Sequence, residues 1–101
     1  MRMMVFFDLP VLTAAQRKAY AKFRKFLVKS GFLMAQESVY TKLLLNSTAA
    51  DNLKSNIRAN KPKEGLVQIL LVTEKQYSRM EMIVGEATNE IVNSADRLVI
   101  L

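Results

Sequence analysis

The chain has 101 residues, of which 50% are hydrophobic and 24% charged, so it is long enough for one domain and too short for two. It contains no cysteine and no histidine, which excludes disulfide bonds, thiolate nucleophiles, imidazole bases and the usual zinc sites. No apolar run approaches the roughly 20 residues of a membrane span, and the lack of cysteine fits a reducing compartment. We expect one cytoplasmic domain over residues 1–101, with no membrane partner.

The net charge of +6 is unevenly distributed. Residues 1–63 carry twelve lysines and arginines against three acids, a balance of +9, whereas residues 64–101 carry three against six, a balance of −3. A basic body is typical of a protein that binds a polyanion, and the acidic end suggests a different partner, such as a protein. The alternative is that these charges only keep the surface soluble.

The first predicted element is a strand, because residues 1–7 form a nearly continuous apolar run that ends at Asp8-Leu9-Pro10. Such a run indicates a central strand that is buried on both faces. A helix over about residues 13–30 follows, since Thr13 and Gln16 have the spacing of a capping box. Its apolar residues recur at helical spacing and are Ala19, Tyr20, Phe23, Phe26 and Leu27.

The next segment, residues 32–45, is rich in β-forming residues but has a polar break at Gln36-Glu37-Ser38. It predicts two short strands joined by a tight bend, or one strand with a bulge. We expect a second helix to start at Thr48 and Asp51 and to end before Pro62, which disfavours helical backbone in the residue before it.

The last part of the chain predicts mainly β-structure. The run 66–73 indicates another buried strand, and a polar turn over Glu74–Met80 follows it. Met82–Val84 and Arg97–Leu101 are strand-like.

The order β-α-β-β-α-β, with these appended β pieces, is that of a ferredoxin-like fold. We therefore predict an α+β domain whose four-stranded antiparallel sheet has two helices on one face and extra C-terminal β pieces. Two helices leave the other sheet face uncovered, so we expect a second copy of the chain to cover it in a homodimer.

The first helix is strongly basic, and no acid occurs between Leu9 and Gln36. At 100° per residue its basic residues project away from the apolar stripe. They repel one another without acidic partners, and bound phosphates would offset that repulsion, although a solvated helix face is the alternative. The six residues are Arg17, Lys18, Lys22, Arg24, Lys25 and Lys29.

A second basic cluster lies near the end of the second helix and comprises Lys54, Arg58, Lys61 and Lys63. Neither cluster contains exposed aromatic residues, which favours binding of a nucleic-acid backbone over reading of bases. The predicted nucleic-acid-binding residues are Arg17, Lys18, Lys22, Lys25, Lys61 and Lys63.

Asp8 is the carboxylate in the most conspicuous position, at the end of the first strand. It could simply accept hydrogen bonds in the turn, or it could bind Mg²⁺, which prefers oxygen ligands. A metal nuclease usually holds its metals with several acidic side chains, so one carboxylate per chain is a weak ligand set for such an enzyme. A dimer axis that brings two Asp8 side chains together would supply two, and Ser38 could hydrogen-bond there.

Several segments resemble the CRISPR-associated family called Cas two. They are Phe6-Phe7-Asp8, Arg17-Lys18, and Gly31-Phe32 leading into Gln36-Glu37-Ser38-Val39-Tyr40. Two later segments, Asn60–Gly65 and Val72–Tyr77, resemble the branch of that family that accompanies single-effector, type II-A systems.

The resemblance implies a ferredoxin-like homodimer of antiviral CRISPR defence. The family is described as a magnesium-dependent endoribonuclease or nuclease, and it acts with the Cas-one integrase to insert new spacers. By the resemblance, Asp8 matches the metal-binding aspartate of the family, and it would be the catalytic residue if the chain is an active nuclease, while Arg17 and Lys18 match the basic start of the family's first helix.

Two functions remain open at this point. The first is a non-catalytic scaffold, a homodimer that bridges two Cas-one integrase dimers and holds a double-stranded DNA prespacer. The second is a magnesium-dependent endoribonuclease or endonuclease that uses Asp8 of both protomers, with RNA as a further substrate. The sequence favours the scaffold, because basic residues are abundant whereas candidate catalytic groups reduce to one acid. The predicted integrase-binding residues are Glu81, Glu86, Glu90 and Asp96.

A third interpretation, a metabolite-binding regulator, lacks support. The chain has only three glycines, and none of them belongs to a glycine-rich phosphate loop.

Overall fold

The computed structural model of the chain describes residues 1–85. Its elements in chain order are β1 (Arg2–Asp8), α1 (Ala14–Lys29), β2 (Leu33–Gln36), β3 (Val39–Leu43), α2 (Ser47–Ala59), β4 (Leu66–Val72) and α3 (Glu74–Ser78). The strands form one antiparallel sheet in the order β2-β3-β1-β4. The predicted β-α-β-β-α-β plan is therefore confirmed.

β1 is the central strand of this sheet, and its side chains alternate between the two faces. Met3, Val5 and Phe7 are 0%, 0% and 4% exposed. They belong to one apolar core together with residues from both long helices, namely Phe23 and Leu27 of α1 and Leu53 and Ile57 of α2. Both helices thus cover the same face of the sheet, as the sequence predicts.

Aromatic rings fill the centre of this core. The ring centroid of Phe7 lies 5.7 Å from that of Tyr20, 5.3 Å from that of Phe23 and 5.6 Å from that of Tyr40. The Phe23 ring meets Phe7 edge-on, which is a preferred geometry for aromatic pairs. Phe7 therefore connects α1 with β3.

The helix starts show one confirmed prediction and one wrong one. Thr13 caps α1, and Gln16 completes the predicted capping box. α2 begins at Ser47 rather than at Thr48 and Asp51, because the side chain of Asn46 accepts a hydrogen bond of 2.8 Å from the backbone of Ala49. Asparagine is among the best N-cap residues, so the cap lies upstream of the predicted threonine.

The polar break contains both of the predicted alternatives, a tight bend between two strands and a bulge. β2 and β3 are two separate strands, and the pairing register shifts between Met34 and Gln36. Ser38 takes a left-handed conformation with φ 64° in the tight turn between them.

Two C-terminal predictions are wrong. Glu74–Ser78 is a short helix rather than a turn, because Thr73 and Gln76 form a second capping box. Residues 79–85 form no strand with the other described residues, and Ile83 and Val84 are 81% and 91% exposed. A five-residue helix is too short to show a repeating apolar pattern, so its capping box is not accompanied by the periodicity that predicts longer helices. The predicted strand Arg97–Leu101 lies outside the described residues.

None of the helices within residues 1–85 combines the length and apolar character that crossing a bilayer would require.

Gly65 fixes the start of β4 against the end of β1. Its φ of +95° lies in the left-handed region, and a Cβ placed on it would be 2.6 Å from the carbonyl oxygen of Asp8 and 2.7 Å from Cδ2 of Leu9. Both the conformation and the close approach of two backbones require glycine here.

We expect Gly65→Ala to lower the free energy of unfolding by about 2–4 kcal/mol, the sum of left-handed strain and overpacking. Gly85→Ala is the matched control, because Gly85 also has a positive φ of +103° but an added Cβ would meet no atom of residues 1–85 within 4 Å. It should lose only about 1–2 kcal/mol. Urea unfolding of the two variants measures the difference, and equal losses would contradict the close approach.

Candidate nucleic-acid interface

Four lysines form a single line along the outer side of α1, at positions i, i+4, i+7 and i+11. All four are exposed, and they lie opposite the buried Phe23 and Leu27. None of them forms an ion pair within residues 1–85. We call them the lysine stripe, and they are Lys18, Lys22, Lys25 and Lys29. Their backbone positions span about 16 Å, the rise of roughly five base pairs of duplex DNA.

The two arginines of α1 lie on its flank instead. Nη1 of Arg17 donates to the carbonyl oxygens of Val11 and Leu12, at 3.2 and 3.0 Å. Nε of Arg24 donates to the hydroxyl of the buried Tyr40 at 2.8 Å. All six basic residues are exposed as projected, but the long side chain of Arg24 also reaches back to the sheet. Arg17 remains exposed, but it holds the β1–α1 loop.

The structure brings part of the second basic cluster to α1. Lys61 and Lys63 are exposed in the loop between α2 and β4, and they line a groove of about 410 Å³ together with Lys22. Lys54 is half-buried and Arg58 is exposed on α2. The sequence separates Lys22 from Lys61 by 39 positions, so only the packing of the loop against α1 reveals that they share one surface.

Asp8 is exposed at the end of β1, on the sheet face away from the helices. We call this side the open face. Asp8 lines a shallow depression of about 160 Å³ there, together with Ser38 and Gln68 among others. The Ser38 hydroxyl lies 3.5 Å from that of Tyr20. Within residues 1–85 no group of three or more acidic side chains comes together that could hold a metal ion, and Asp8 is the one acid among the described residues that line this depression.

An arginine that the sequence analysis did not single out organises the opposite end of the open face. Nε and Nη2 of Arg2 each donate to the Glu74 carboxylate at 2.8 Å, and Nη1 donates to the Thr41 hydroxyl at 3.2 Å. The guanidinium also lies 4.2 Å from the centroid of the Tyr77 ring, a cation–π distance. The hydrogen bond from Arg2 lowers the pKa of Glu74. These contacts fix α3 to the sheet. The sequence feature that could have indicated them is the lone arginine within the otherwise apolar strand β1.

Between these two ends the open face is apolar. Four leucines on it are at least half exposed: Leu33 at 71%, Leu43 at 59%, Leu66 at 54% and Leu70 at 50%. The strand register places Leu33 beside Thr41, and both Thr41 and Leu70 beside Met4, in one row across the sheet. Met4 and Thr41 at the centre of the row are only 7% and 3% exposed, so the predicted uncovered surface is limited to the leucines around them.

Of the predicted partner-binding acids, Glu81 is exposed in the segment after α3. Glu86, Glu90 and Asp96 lie outside the described residues.

Arg17 donates hydrogen bonds within the domain, whereas Lys18 forms no ion pair within residues 1–85. Loss of the same charge should therefore affect the free energy of unfolding differently at the two positions. Arg17→Ala should lower the free energy of unfolding by about 1 kcal/mol, because the loop carbonyls lose their hydrogen-bond donor. Lys18→Ala should change it by less than about 0.5 kcal/mol. Urea unfolding at one ionic strength compares the two neighbours, and equal values would mean that the Arg17 contacts do not stabilise the fold.

The sequence is similar to known proteins over its full length. The sequence model of the family described as "CRISPR associated protein Cas2" matches residues 1–80. A protein of Treponema denticola named "CRISPR-associated endoribonuclease Cas2" is 56% identical over 101 residues, which are 100% of both chains. A protein of the same name from Streptococcus mutans is 52% identical over 101 residues, which are 100% of this chain and 93% of that one.

The fold is also similar to a solved structure. The crystal structure of Streptococcus pyogenes Cas2 at pH 6.5 has a TM-score of 0.63 and 21% sequence identity, and the match covers 83% of this chain and 100% of that chain. At this identity the likeness concerns the fold alone, and it agrees with the predicted ferredoxin-like plan. Together with the family match and the two relatives, it confirms the resemblance found in the sequence: the chain belongs to the Cas2 family of CRISPR-associated proteins.

Proposed function

We propose that the chain is a homodimeric DNA-binding scaffold of CRISPR adaptation, which bridges Cas-one integrase dimers and holds the prespacer duplex during spacer integration. The observation that supports it best is the lysine stripe, four exposed lysines in line on α1 with no ion-pair partner among residues 1–85. Amines on a rigid helix can follow the phosphates of a duplex, whatever its sequence.

The electrostatics of α1 favour this proposal over a merely solvated surface. A solubilising helix face usually mixes both signs of charge, so that neighbours one turn apart attract. In the lysine stripe the charged side chains one turn apart are all lysines and repel one another. This repulsion is relieved when phosphates bind and their counterions are released. Lys61 and Lys63 extend the same basic surface beyond α1.

The open face supports the homodimer. Its four half-exposed leucines lie on one side of the sheet, two of them in the row through Met4 and the others beside Arg2 and Asp8, and exposed apolar side chains grouped on one face are typical of an interface. A two-fold axis through this face would place the lysine stripes of both protomers on the outside of the dimer, because α1 covers the opposite side of each sheet.

The integrase would bind the acidic C-terminal part, since DNA is repelled there. Glu81 is the described member of the predicted set, which also includes Glu86, Glu90 and Asp96. A separate protein surface leaves the basic surface free for the prespacer.

A second candidate function is magnesium-dependent cleavage of RNA or DNA, which the names of the two relatives favour because they call those proteins endoribonucleases. A single exposed Asp8 is too few ligands for a catalytic metal, but Asp8 lies on the open face, where a partner protomer would supply a second carboxylate. Two Asp8 side chains would then hold Mg²⁺, which supplies charge stabilisation and an activated water for phosphodiester hydrolysis.

The salt dependence of DNA binding tests the scaffold. Replacing Lys18 and Lys25 by Gln removes four amines from a dimer, and at about 0.9 per phosphate contact the slope of log K against log salt should flatten by up to about 3–4. The loss should be uniform across duplex sequences, because phosphate contacts carry no base information.

The matched control removes the same charge from α3 and its end. Lys75→Gln combined with Arg79→Gln should leave the slope nearly unchanged, since both exposed residues lie outside the basic surface of α1. A slope that the stripe variant does not alter, or a strong preference for one duplex sequence, would contradict the proposed interface.

Asp8→Asn separates the two candidate functions. The side chain is exposed, so the isosteric change should shift the free energy of unfolding by less than about 0.5 kcal/mol. We expect the variant to abolish any magnesium-dependent cleavage by the isolated protein and to leave spacer acquisition in cells near the native level. Loss of acquisition in a folded, dimeric variant would overturn the scaffold, whereas persistent cleavage would overturn the role of Asp8.

A further inference from the structure

A groove between α1 and the loop after α2 is apolar inside and basic at its rim. Its volume of about 410 Å³ lies within the range of ligand-binding pockets. Lys22 lines it from α1 and Lys61 and Lys63 line it from the loop, and all three are exposed. A ligand that fits must therefore offer both apolar surface and negative charge. The apolar residues that line the groove are Leu9, Pro10, Ala15, Ala19, Phe23 and Pro62.

The polar groups of the α1 wall are already paired within the capping box. Oε1 of Gln16 accepts hydrogen bonds from the backbone of Leu12 and Thr13, at 2.9 and 3.0 Å, and the Thr13 hydroxyl accepts one from the backbone of Gln16 at 3.1 Å. Nε2 of Gln16 lies 3.5 Å from Oε1 of Glu64, the one acid among the lining residues. Pockets for small molecules usually fix their ligand with a few precisely placed polar groups, whereas these groups hold the wall. The groove therefore recognises its ligand mainly by apolar contact and by charge.

Exposed apolar residues adjoin the groove and favour a protein as its ligand. Val11 and Leu12 lie in the chain between the lining residues Pro10 and Thr13, and they are 48% and 86% exposed. Arg17 holds this loop by hydrogen bonds to the carbonyl oxygens of both residues. Phosphates gain nothing from exposed apolar side chains, whereas apolar residues bordered by charged ones are typical of a surface that binds proteins.

A nucleic acid and an acidic protein segment both match the charge of the lysines. Nucleic-acid bases need an accessible ring to stack on, but Phe23, the one aromatic residue that lines the groove, is only 2% exposed. An acidic protein segment needs no such ring. We propose that the groove binds an acidic segment of a partner protein, which inserts an apolar side chain and places carboxylates against Lys22, Lys61 and Lys63. This inference goes beyond the proposed DNA-binding function and does not depend on it.

Four short fluorescent peptides of equal length separate the apolar contribution from the charge. The central residue is leucine or alanine, and the flanking residues are either aspartate and glutamate or serine. Fluorescence anisotropy at one ionic strength gives the affinity of the native protein for each. We expect the acidic leucine peptide to bind about tenfold more tightly than the acidic alanine peptide, because burial of a leucine side chain supplies roughly that factor.

Two alanine variants of α1 locate the apolar contact. Ala19 lines the groove and Ala21 does not, although both are exposed helical alanines. Ala19→Leu fills the groove, so the acidic leucine and alanine peptides should bind it equally weakly. Ala21→Leu makes the same change outside the groove and should keep the native preference for leucine. Unfolding midpoints in urea check that both variants fold.

Two charge variants locate the carboxylates. Lys61→Gln combined with Lys63→Gln should weaken binding of the acidic leucine peptide by about fivefold, because two exposed ion pairs are lost, and should leave the serine-flanked leucine peptide unaffected. Lys75→Gln combined with Arg79→Gln removes the same charge from residues that do not line the groove and should have little effect.

Three outcomes would overturn the inference. The first is equal affinity of the native protein for the acidic leucine and alanine peptides, since the groove then contributes no apolar contact. The second is a preference for leucine that persists in Ala19→Leu, because the leucine then binds elsewhere. The third is equal affinity for the acidic and the serine-flanked leucine peptides, which would leave the lysines without a role. None of these measurements contains DNA, so their failure leaves the DNA-binding function intact, and an unaltered salt slope in the stripe variant leaves the groove site intact.

Discussion

Phe7 and its neighbours on β1, Met3 and Val5, join the layers of the domain into one core. Each is almost completely buried, and burial of such a side chain stabilises a fold by about 1.5–3 kcal/mol. The ring of Phe7 meets rings from α1 and from β3, so the helix and the hairpin are both positioned against the central strand. Because strand side chains alternate, this burial also directs Asp8 to the other face of the sheet.

The two faces of the domain acquire different chemistry from that arrangement. α1 covers the core with Phe23 and Leu27 and turns its lysine stripe outward, while the open face keeps exposed leucines and a carboxylate. A polyanion and a second protomer can therefore bind at the same time without competing for surface. The proposed scaffold depends on this separation, and so does the candidate metal site, which needs Asp8 from two chains.

Three arginines and the lysine stripe have different roles in the domain, although Lys42 also donates an internal hydrogen bond of 2.6 Å, to the carbonyl oxygen of Ser30. Arg2, Arg17 and Arg24 each donate hydrogen bonds within the domain, to a carboxylate, to backbone carbonyls and to a tyrosine hydroxyl. The guanidinium group offers five donors in a fixed plane and suits such contacts, whereas an ammonium group on a flexible stem suits non-specific phosphate binding. The positive charge of the basic surface is therefore carried mainly by lysines.

Sequence periodicity alone was sufficient for the elements with strong local signals. The apolar run of β1, the capping box of α1 and the apolar stripe through Tyr20 and Leu27 led to a ferredoxin-like order of strands and helices. The uncovered sheet face was predicted because the two helices can cover only one face of the sheet. The cap of α2 at Asn46 and the short helix α3 were not predicted, because a cap depends on one side chain and a short helix has no periodicity.

Only the tertiary structure decided how distant charges combine. Whether Arg24 faces solvent or Tyr40, whether Lys61 lies near Lys22, and whether Arg2 pairs with Glu74 all depend on contacts between residues far apart in the chain. Local pattern specifies which side of a helix is apolar, and it therefore determined the basic and apolar faces of this protein. The groove beside α1 exists because the loop after α2 packs there, and packing between separate elements is absent from any local pattern.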